Sequence, residues 1–506
     1  MREAIIQGLQ IVFSVQGILV CALGSAVGYV FGFLPGVGGS VAIMLLIPLT
    51  YGMEPAVAMV MLAGVLGGVT FGGSITSILI NAPGEGSNAA TALDGYAMSQ
   101  QGRAGEALGA SATASFLGHL IGIFVLLAII PGMAKLVLAF GPPEWVALGI
   151  GGLALIAMVS GKSLLNGLIS GCIGLILSVH GVNPVLGSPR YVYGQIWLWS
   201  GISLIAFIVG AMALAEMFRL FMEEKSISSS GDVEVKGVFK GVKATLMHLP
   251  LVIYCGIQGI IIGAIPGVGG SVSCWMALAQ AKSISGHPET FGKGNVEGII
   301  GPESANDATT AGALMPLVSL GIPGNPSTAV LLGALIMHGL QPGKVLLTEQ
   351  LFVVTSLSFA HLFGAFIACT IGLWAAKYLA RITVISTKSL VPVLMILCVI
   401  GVYAEKMRVS DVALCILFAA IGYAMKLCDI PAVPAILGLI LGSLIERSHQ
   451  VSMQISEQSW SIYYTRPFVW LFAVGLPLIL FGFKAAGDLR RRKQKAKDMA
   501  PSGRAL

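Results

Sequence analysis

Charge is scarce in this sequence. Only 10% of its 506 residues are Asp, Glu, Lys or Arg, where a soluble domain carries about 25%. A water-facing surface of ordinary size is therefore excluded. Cysteine is sparse as well: the eight cysteines include no C-x-x-C pair, so a disulfide framework or a thiolate metal centre has no support. Lying in apolar runs, they read as small packed hydrophobes. The seven histidines form no H-E-x-x-H, which removes zinc-protease chemistry. No Lys-Ser/Thr follows the glycine-rich runs, so a nucleotide loop and an ATP-driven pump have no motif. The head of the chain lacks the form of a cleavable signal and is expected to stay as a membrane segment.

What remains is grease. Hydrophobic residues make up 56% and mean hydropathy is +0.89. Apolar runs of about 20 residues, the length that crosses a bilayer, recur at 107–131, 200–218, 351–376 and 467–484. About twelve such segments are expected, giving an all-α polytopic membrane protein. The net charge of +6 then reads as topology. The tail "GDLRRRKQKAK" follows the last run and places the C-terminus in the cytoplasm by the positive-inside rule. The stretch 219–246 holds Arg219, Lys225, Lys236, Lys240 and Lys243 and reads as a cytoplasmic linker. The expected organisation is a first transmembrane repeat at 1–220, a linker at 221–246, a second repeat at 247–486 and a basic tail at 487–506.

Two apolar segments are cut by the same six letters. Pro35-Gly36-Val37-Gly38-Gly39-Ser40 recurs as Pro266-Gly267-Val268-Gly269-Gly270-Ser271, 231 residues later. Glycines spaced by four precede each cut: Gly28, Gly32 and Gly36, then Gly259, Gly263 and Gly267. Their ordinary reading is close helix packing. A second pair of cuts follows, Asn81-Ala82-Pro83-Gly84 and Gly321-Ile322-Pro323-Gly324. Two ordered landmarks in each half indicate an internal duplication. Broken helices or re-entrant hairpins are expected in both halves. The letters do not fix relative orientation; an inverted pair is the expectation.

Backbone polar groups in hydrocarbon must be satisfied within the protein, so such breaks are tolerated only against protein or a wet cavity. Matching breaks in two halves point to a transport site. The amides freed at the start of the following helix carry partial positive charge and favour carboxylates. The expected substrate-binding set is thus Pro35, Gly36, Gly38, Gly39, Ser40, Asn81, Pro83 and Gly84 in half one. In half two it is Pro266, Gly267, Gly269, Gly270, Ser271, Pro323, Gly324, Asn325 and Ser327.

Polar residues flank the breaks. In "GPESANDATTAGALMPLVSLGIPGNPSTA", a helix would align Glu303, Asn306, Asp307 and Thr310 on one face. Buried acids in a bilayer need a cation, a proton or water. Glu303, Asn306, Asp307 and Ser74 are therefore expected to hold a coupling cation, sodium or a proton; Glu303 as a helix-start acid in water is the alternative. Ser74, Ser77 and Asn81 would share a helical face, and Glu85, Asn88 and Asp94 follow the first break. A back-bond to its own helix is the plainer reading of any single Ser, and a loop cap that of Asp94. Lys162, Arg190 and Lys293 are the basic candidates, with interface anchoring the plainer role. No cofactor is expected. A passive anion channel or a membrane-embedded hydrolase are the alternatives; for the latter, Ser271 and Ser273 lack a base, since His248 and His287 fall in boundary or loop segments.

The stretches "LPGVGGSVAIMLLIPLTYGMEP", "FGGSITSILINAPGEGSNAATALDGYAMSQQGRAGEAL", "FGKGNVEGIIGPESANDA" and "LGIPGNPSTAVLLGALIMHGLQPG" resemble the large membrane subunit of the tripartite tricarboxylate transporter (TctA) family. With "LVPVLMILCVIGVYA" and "PAVPAILGLILGSLIE" the resemblance runs nearly the whole length, in order. It implies a multi-pass carrier of the bacterial inner membrane that imports tricarboxylates or related organic carboxylates by symport. It also implies two partners, a periplasmic solute-binding protein and a small membrane subunit with about four spans. Asp307 departs from the commoner family wording, which would give Asn; Glu85 falls where the family is often acidic.

Overall fold

The computed structural model describes residues 1–34, 38–159, 163–183, 187–222, 236–266, 268–382 and 387–475. Pro35, Gly36, Gly267, Lys162, half of the linker and the basic tail lie outside the described residues. Among those described, the chain is helical apart from one two-residue hairpin, Gly181–Val182 against Pro189–Arg190.

Ten helices position the site. In the first half they are α1 (Val15–Phe33), α2 (Gly38–Thr50), α3 (Pro55–Ile80), α4 (Ala89–Gln100) and α5 (Ala104–Leu138). In the second they are α6 (Leu249–Gly263), α7 (Gly269–Ile284), α8 (Glu297–Leu320), α9 (Pro326–Met337) and α10 (Leu351–Ile382). The succession α1 to α4 matches α6 to α9: a helix, a glycine break, a short helix, a long buried helix, a Pro-Gly break and another helix.

The glycine ladders explain how the long helices meet. Gly24, Gly28 and Gly32 of α1 sit so close to α3 that an added Cβ would run into the backbone of Met61, Val65 and Val69. Gly259 and Gly263 of α6 stand in the same way on Ala305 and Thr309 of α8. Apolar lipid gives little drive to bring helices together, so close backbone approach through small residues does that work. Side chains then tie α1 to α10: Ser25 Oγ donates to Gly364 O at 2.7 Å and Tyr29 OH to Gly372 O at 2.8 Å. In α5, Gly118 and Gly122 lie against Ser304 and Ala311 of α8.

Helices α3 and α8 form the centre. Every residue of the most apolar stretch of α3 is buried, and α8 is buried from Gly298 to Ser319. The helix expected around Glu303 exists, although Pro302 and Pro316 lie inside it. Five described helices are long and apolar enough to cross a membrane, or six if the pair Val238–Met247 and Leu249–Gly263, bent by 77°, counts as one. That is fewer than the twelve or so expected. One reason is visible: α8 is enclosed by other helices, and its Ser, Thr, Asn and acidic residues keep it below the apolarity of a lipid-facing span. Residues 238–246, within the expected linker, form a helix whose Gly241 packs against Glu106 and Gly109 of α5.

Candidate transport site

The breaks in the two halves share a backbone geometry. Gly38 and Gly269 open α2 and α7 with φ of +74° and +73°, a left-handed conformation that L side chains resist. Asn81 and Gly321 close α3 and α8 with φ of 55° and 67°, the left-handed C-cap that Gly and Asn supply most readily. Gly38 and Gly269, the fourth letter of each repeated six, thus share one backbone conformation.

The starts of α2, α7 and α9 meet at a cavity of about 250 Å³. Ser40 lines it from the start of α2, and Gly269, Gly270 and Ser271 from the start of α7. Asn325 and Ser327 come from the start of α9, and Asn306 from α8. The remaining described members of the expected substrate set do not line it. Asn81 is exposed beyond the end of α3, so it leaves the helical face of Ser74 and Ser77. Pro83 and Pro266 are half-buried, and Pro323 is buried. Gly84 packs on Gly32 and Gly73, Gly324 on Gly263 and Ala313, and Gly39 lies beside Val69 and Ser327. Gly38 is buried against the Glu85 carboxylate.

Sequence reasoning missed Thr70, Ser87 and Thr309, which also line the cavity. Three lining residues carry buried atoms without a hydrogen-bond partner, Thr70 Oγ1, Ser87 Oγ and Asn306 Nδ2. Leaving a buried donor unmet costs about 1–3 kcal/mol, so such atoms signal a ligand or water. Among the described residues, none that lines the cavity is Lys or Arg. Arg190 is engaged elsewhere, paired with Glu446 at 2.6 Å.

The two helix starts differ. In half one, Glu85 accepts the Gly39 N–H at 2.5 Å, so the protein's own carboxylate already meets the opening of α2. In half two, the matching place holds Asn325, which turns to its own helix and accepts the Thr328 N–H at 2.8 Å. No side chain caps α7. The cavity therefore has one occupied helix start and one open.

Behind the cavity lies a second polar layer. Glu303 is fully buried and accepts from Ser74 Oγ at 2.8 and 2.9 Å, Ser111 Oγ at 3.0 Å, Ser115 Oγ at 2.9 Å and Thr91 Oγ1. These hydroxyls come from α3, α4 and α5. Asn88 steadies the cradle, donating Nδ2 to Ser74 Oγ at 2.9 Å and to Thr70 O at 3.1 Å. Ser74 makes the expected back-bond, to Thr70 O at 3.1 Å, and the carboxylate contact as well. Asp307, one turn beyond Glu303, is fully buried with neither oxygen hydrogen-bonded; its Oδ1 lies 3.4 Å from His119 Nδ1. Asn306, between them in sequence, is the member of the expected cation set that reaches the cavity. Asp94 caps a loop of the other half, accepting N–H groups of Gly292, Gly294 and Asn295 at 2.8–3.0 Å.

Comparison with known proteins agrees with this architecture. The model of the tripartite tricarboxylate transporter TctA family matches residues 18–437. The chain is 33% identical over 492 residues to an uncharacterised 52.8 kDa protein of the TAR-I ttuC' 3' region of Agrobacterium vitis, covering 96% of this chain and 97% of that one. An uncharacterised protein of the TAR-II ttuC' 3' region of the same organism is 32% identical over 214 residues, 41% of this chain and 86% of its own. No solved structure matches the chain. A multi-pass helical protein with a full-length family match is thus identified: the chain belongs to the tripartite tricarboxylate transporter TctA family, as a large transporter subunit and not an enzyme.

Proposed function

We propose that the cavity between the breaks holds an organic carboxylate during import, and that a cation gradient drives the passage. The observation that carries this reading is the set of partnerless buried donors in the lining, Thr70 Oγ1, Ser87 Oγ and Asn306 Nδ2, with the uncapped start of α7 in the same wall. Such donors suit carboxylate oxygens, and a helix N-terminus adds partial positive charge. The volume of about 250 Å³ falls just below that of drug-sized pockets, roughly 300–1,000 Å³, and suits a small metabolite such as a di- or tricarboxylate. With no Lys or Arg among the described lining residues, substrate charge would be balanced by the travelling cation. Glu303 and Asp307 supply the negative charge that such a cation needs.

The family brings partners into this scheme. A periplasmic solute-binding protein would deliver the carboxylate, and a small four-span subunit would complete the membrane part. The family would place the chain in a bacterial inner membrane, and the basic tail supports a cytoplasmic C-terminus. The two similar halves, read as an inverted pair, would provide alternating access by moving one bundle against the other.

The test is uptake of labelled di- and tricarboxylates into proteoliposomes holding both membrane subunits, with the binding protein outside. Sodium and proton gradients are imposed separately. Uptake that saturates and follows one gradient is expected. Uptake indifferent to both would overturn symport, and uptake that never saturates would favour a passive channel.

A further inference from the structure

Two histidines 242 positions apart meet in the interior. His119 of α5 and His361 of α10 are both fully or almost fully buried, and their Nε2 atoms lie 3.0 Å apart. One proton must occupy that contact, because two lone pairs or two N–H groups cannot face each other at this distance. The other nitrogen of His119 decides which ring holds it. His119 Nδ1 lies 3.1 Å from Ser115 O, a carbonyl that only accepts, so Nδ1 carries hydrogen. Neutral His119 then has a bare Nε2, and His361 Nε2–H donates to it. That leaves His361 Nδ1 as a buried lone pair, and it has no hydrogen-bond partner. At the far end, His119 Nδ1 also faces Asp307 Oδ1 at 3.4 Å. The chain of atoms therefore has an empty acceptor at one end, one N–H set between the two rings, a second N–H held by Ser115 O, and at the other end a buried carboxylate oxygen 3.4 Å from that second nitrogen.

We propose that His361 and His119 form a proton relay that loads Asp307, making the coupling ion of this transporter a proton. The inference deepens the proposed function and rests on that reading for its role in transport. The transfer balances without any other reactant. A proton adds to His361 Nδ1, the Nε2 proton of His361 passes to His119 Nε2, and the Nδ1 proton of His119 passes to Asp307 Oδ1. Both rings end neutral in their other tautomers, and the carboxylate becomes a neutral acid. Reverse transfer returns the proton and resets both rings.

The surroundings favour a proton over sodium. The titratable groups facing this line are Glu303 of α8, Cys274 of α7, Cys369 of α10 and Glu85 of the loop after α3. No Lys or Arg is among the buried described residues, so nothing fixed neutralises Asp307. A bare sodium ion wants several oxygen ligands around one point. The hydroxyls of Ser74, Ser111, Ser115 and Thr91 are turned to Glu303 instead. Asp307 directly follows Asn306 in α8, and Thr70 lies beside both Asp307 and the cavity. Loading the acid would thus change charge next to bound substrate.

The test needs no substrate, so its failure is separate from failure of the uptake experiment. The full chain in lipid vesicles is taken through a rapid pH drop and followed by difference infrared spectroscopy. A carboxylic-acid C=O band is expected to rise, to vanish in Asp307→Asn, and to persist when sodium replaces potassium. In His361→Phe its rise should slow about a hundredfold, the low end for loss of a positioned proton carrier, with final amplitude kept. His361→Asn serves if the Phe variant fails to fold. In the wild-type chain, isotope-labelled histidine nitrogens should show direct coupling across the Nε2–H···Nε2 contact. A band that survives Asp307→Asn, that sodium abolishes, or whose rise ignores both His361 variants would overturn the relay, as would absence of the nitrogen coupling.

Discussion

Gly38 and Gly269 occupy the same place in the two halves with the same left-handed backbone, φ +74° and +73°. Their surroundings differ. A Cβ added at Gly269 meets nothing within 4 Å, whereas one at Gly38 lies 2.9 Å from Glu85 Oε1. Gly269→Ala should therefore cost about 1–2 kcal/mol from the backbone alone. Gly38→Ala should cost more, because Glu85 must also move. Thermal unfolding of the purified variants checks the order. Gly269→Asn should recover part of the loss, since Asn tolerates this region.

The glycine ladders give a second expectation. Gly28→Val and Gly259→Val each force a side chain into the backbone of the neighbouring helix, at Val65 and Ala305. Overpacking of a tight contact costs about 1–3 kcal/mol or more. Both variants should lower the yield of folded protein in membranes, whereas Gly132→Val, where the added Cβ meets no atom within 4 Å, should not. Size-exclusion profiles of the extracted variants provide the comparison.

Glu303 accepts from four hydroxyl residues on three helices. Glu303→Gln would set an amide N–H₂ among donors and leave hydroxyls without an acceptor. A loss of about 3 kcal/mol is expected, against about 1 kcal/mol for Ser111→Ala, which removes one donor. If Glu303→Gln unfolds at the wild-type temperature, the hydroxyl cradle is not the device that holds α3, α5 and α8 in register.

Ser87 and Asn306 are expected to contact substrate directly. Hydrogen bonds to a charged group are worth about 1.5–3 kcal/mol, so Ser87→Ala or Asn306→Ala should raise the KM for carboxylate uptake about tenfold or more. Glu85→Gln should act in the opposite direction, because it removes a negative charge from the cavity wall. Uptake kinetics at fixed gradients report both signs. A KM unmoved by Ser87→Ala would take that hydroxyl out of the site.

The sequence carried the breaks but not their meeting. Pro-Gly and Gly-Gly pairs inside apolar runs announce a turn because few other residues adopt it, and Gly38, Gly269, Asn81 and Gly321 fulfil that expectation in their φ angles. The asymmetry at the helix starts was hidden, since Glu85 reaches Gly39 across 46 residues. The cradle around Glu303 was hidden for the same reason. Its hydroxyls lie on three helices, and each alone reads as an ordinary back-bond, as Ser77 in fact makes to Gly73 O. His119 and His361 sit on apolar helices with no local motif, and only the packing of α10 on α5 joins them. Helix α8 is buried by its neighbours, so its polarity conceals its depth.

Thiol labelling of Ser271→Cys tests the central claim most directly. Ser271 is exposed at the start of α7 and lines the cavity, with its Oγ 2.8 Å from where a Cβ on Gly86 would stand. A membrane-permeant maleimide should modify this cysteine above the background of the parent chain. Carboxylates that are taken up should protect it, with half-protection near their KM. Labelling that stays unchanged at concentrations saturating uptake would place the substrate elsewhere and contradict the account.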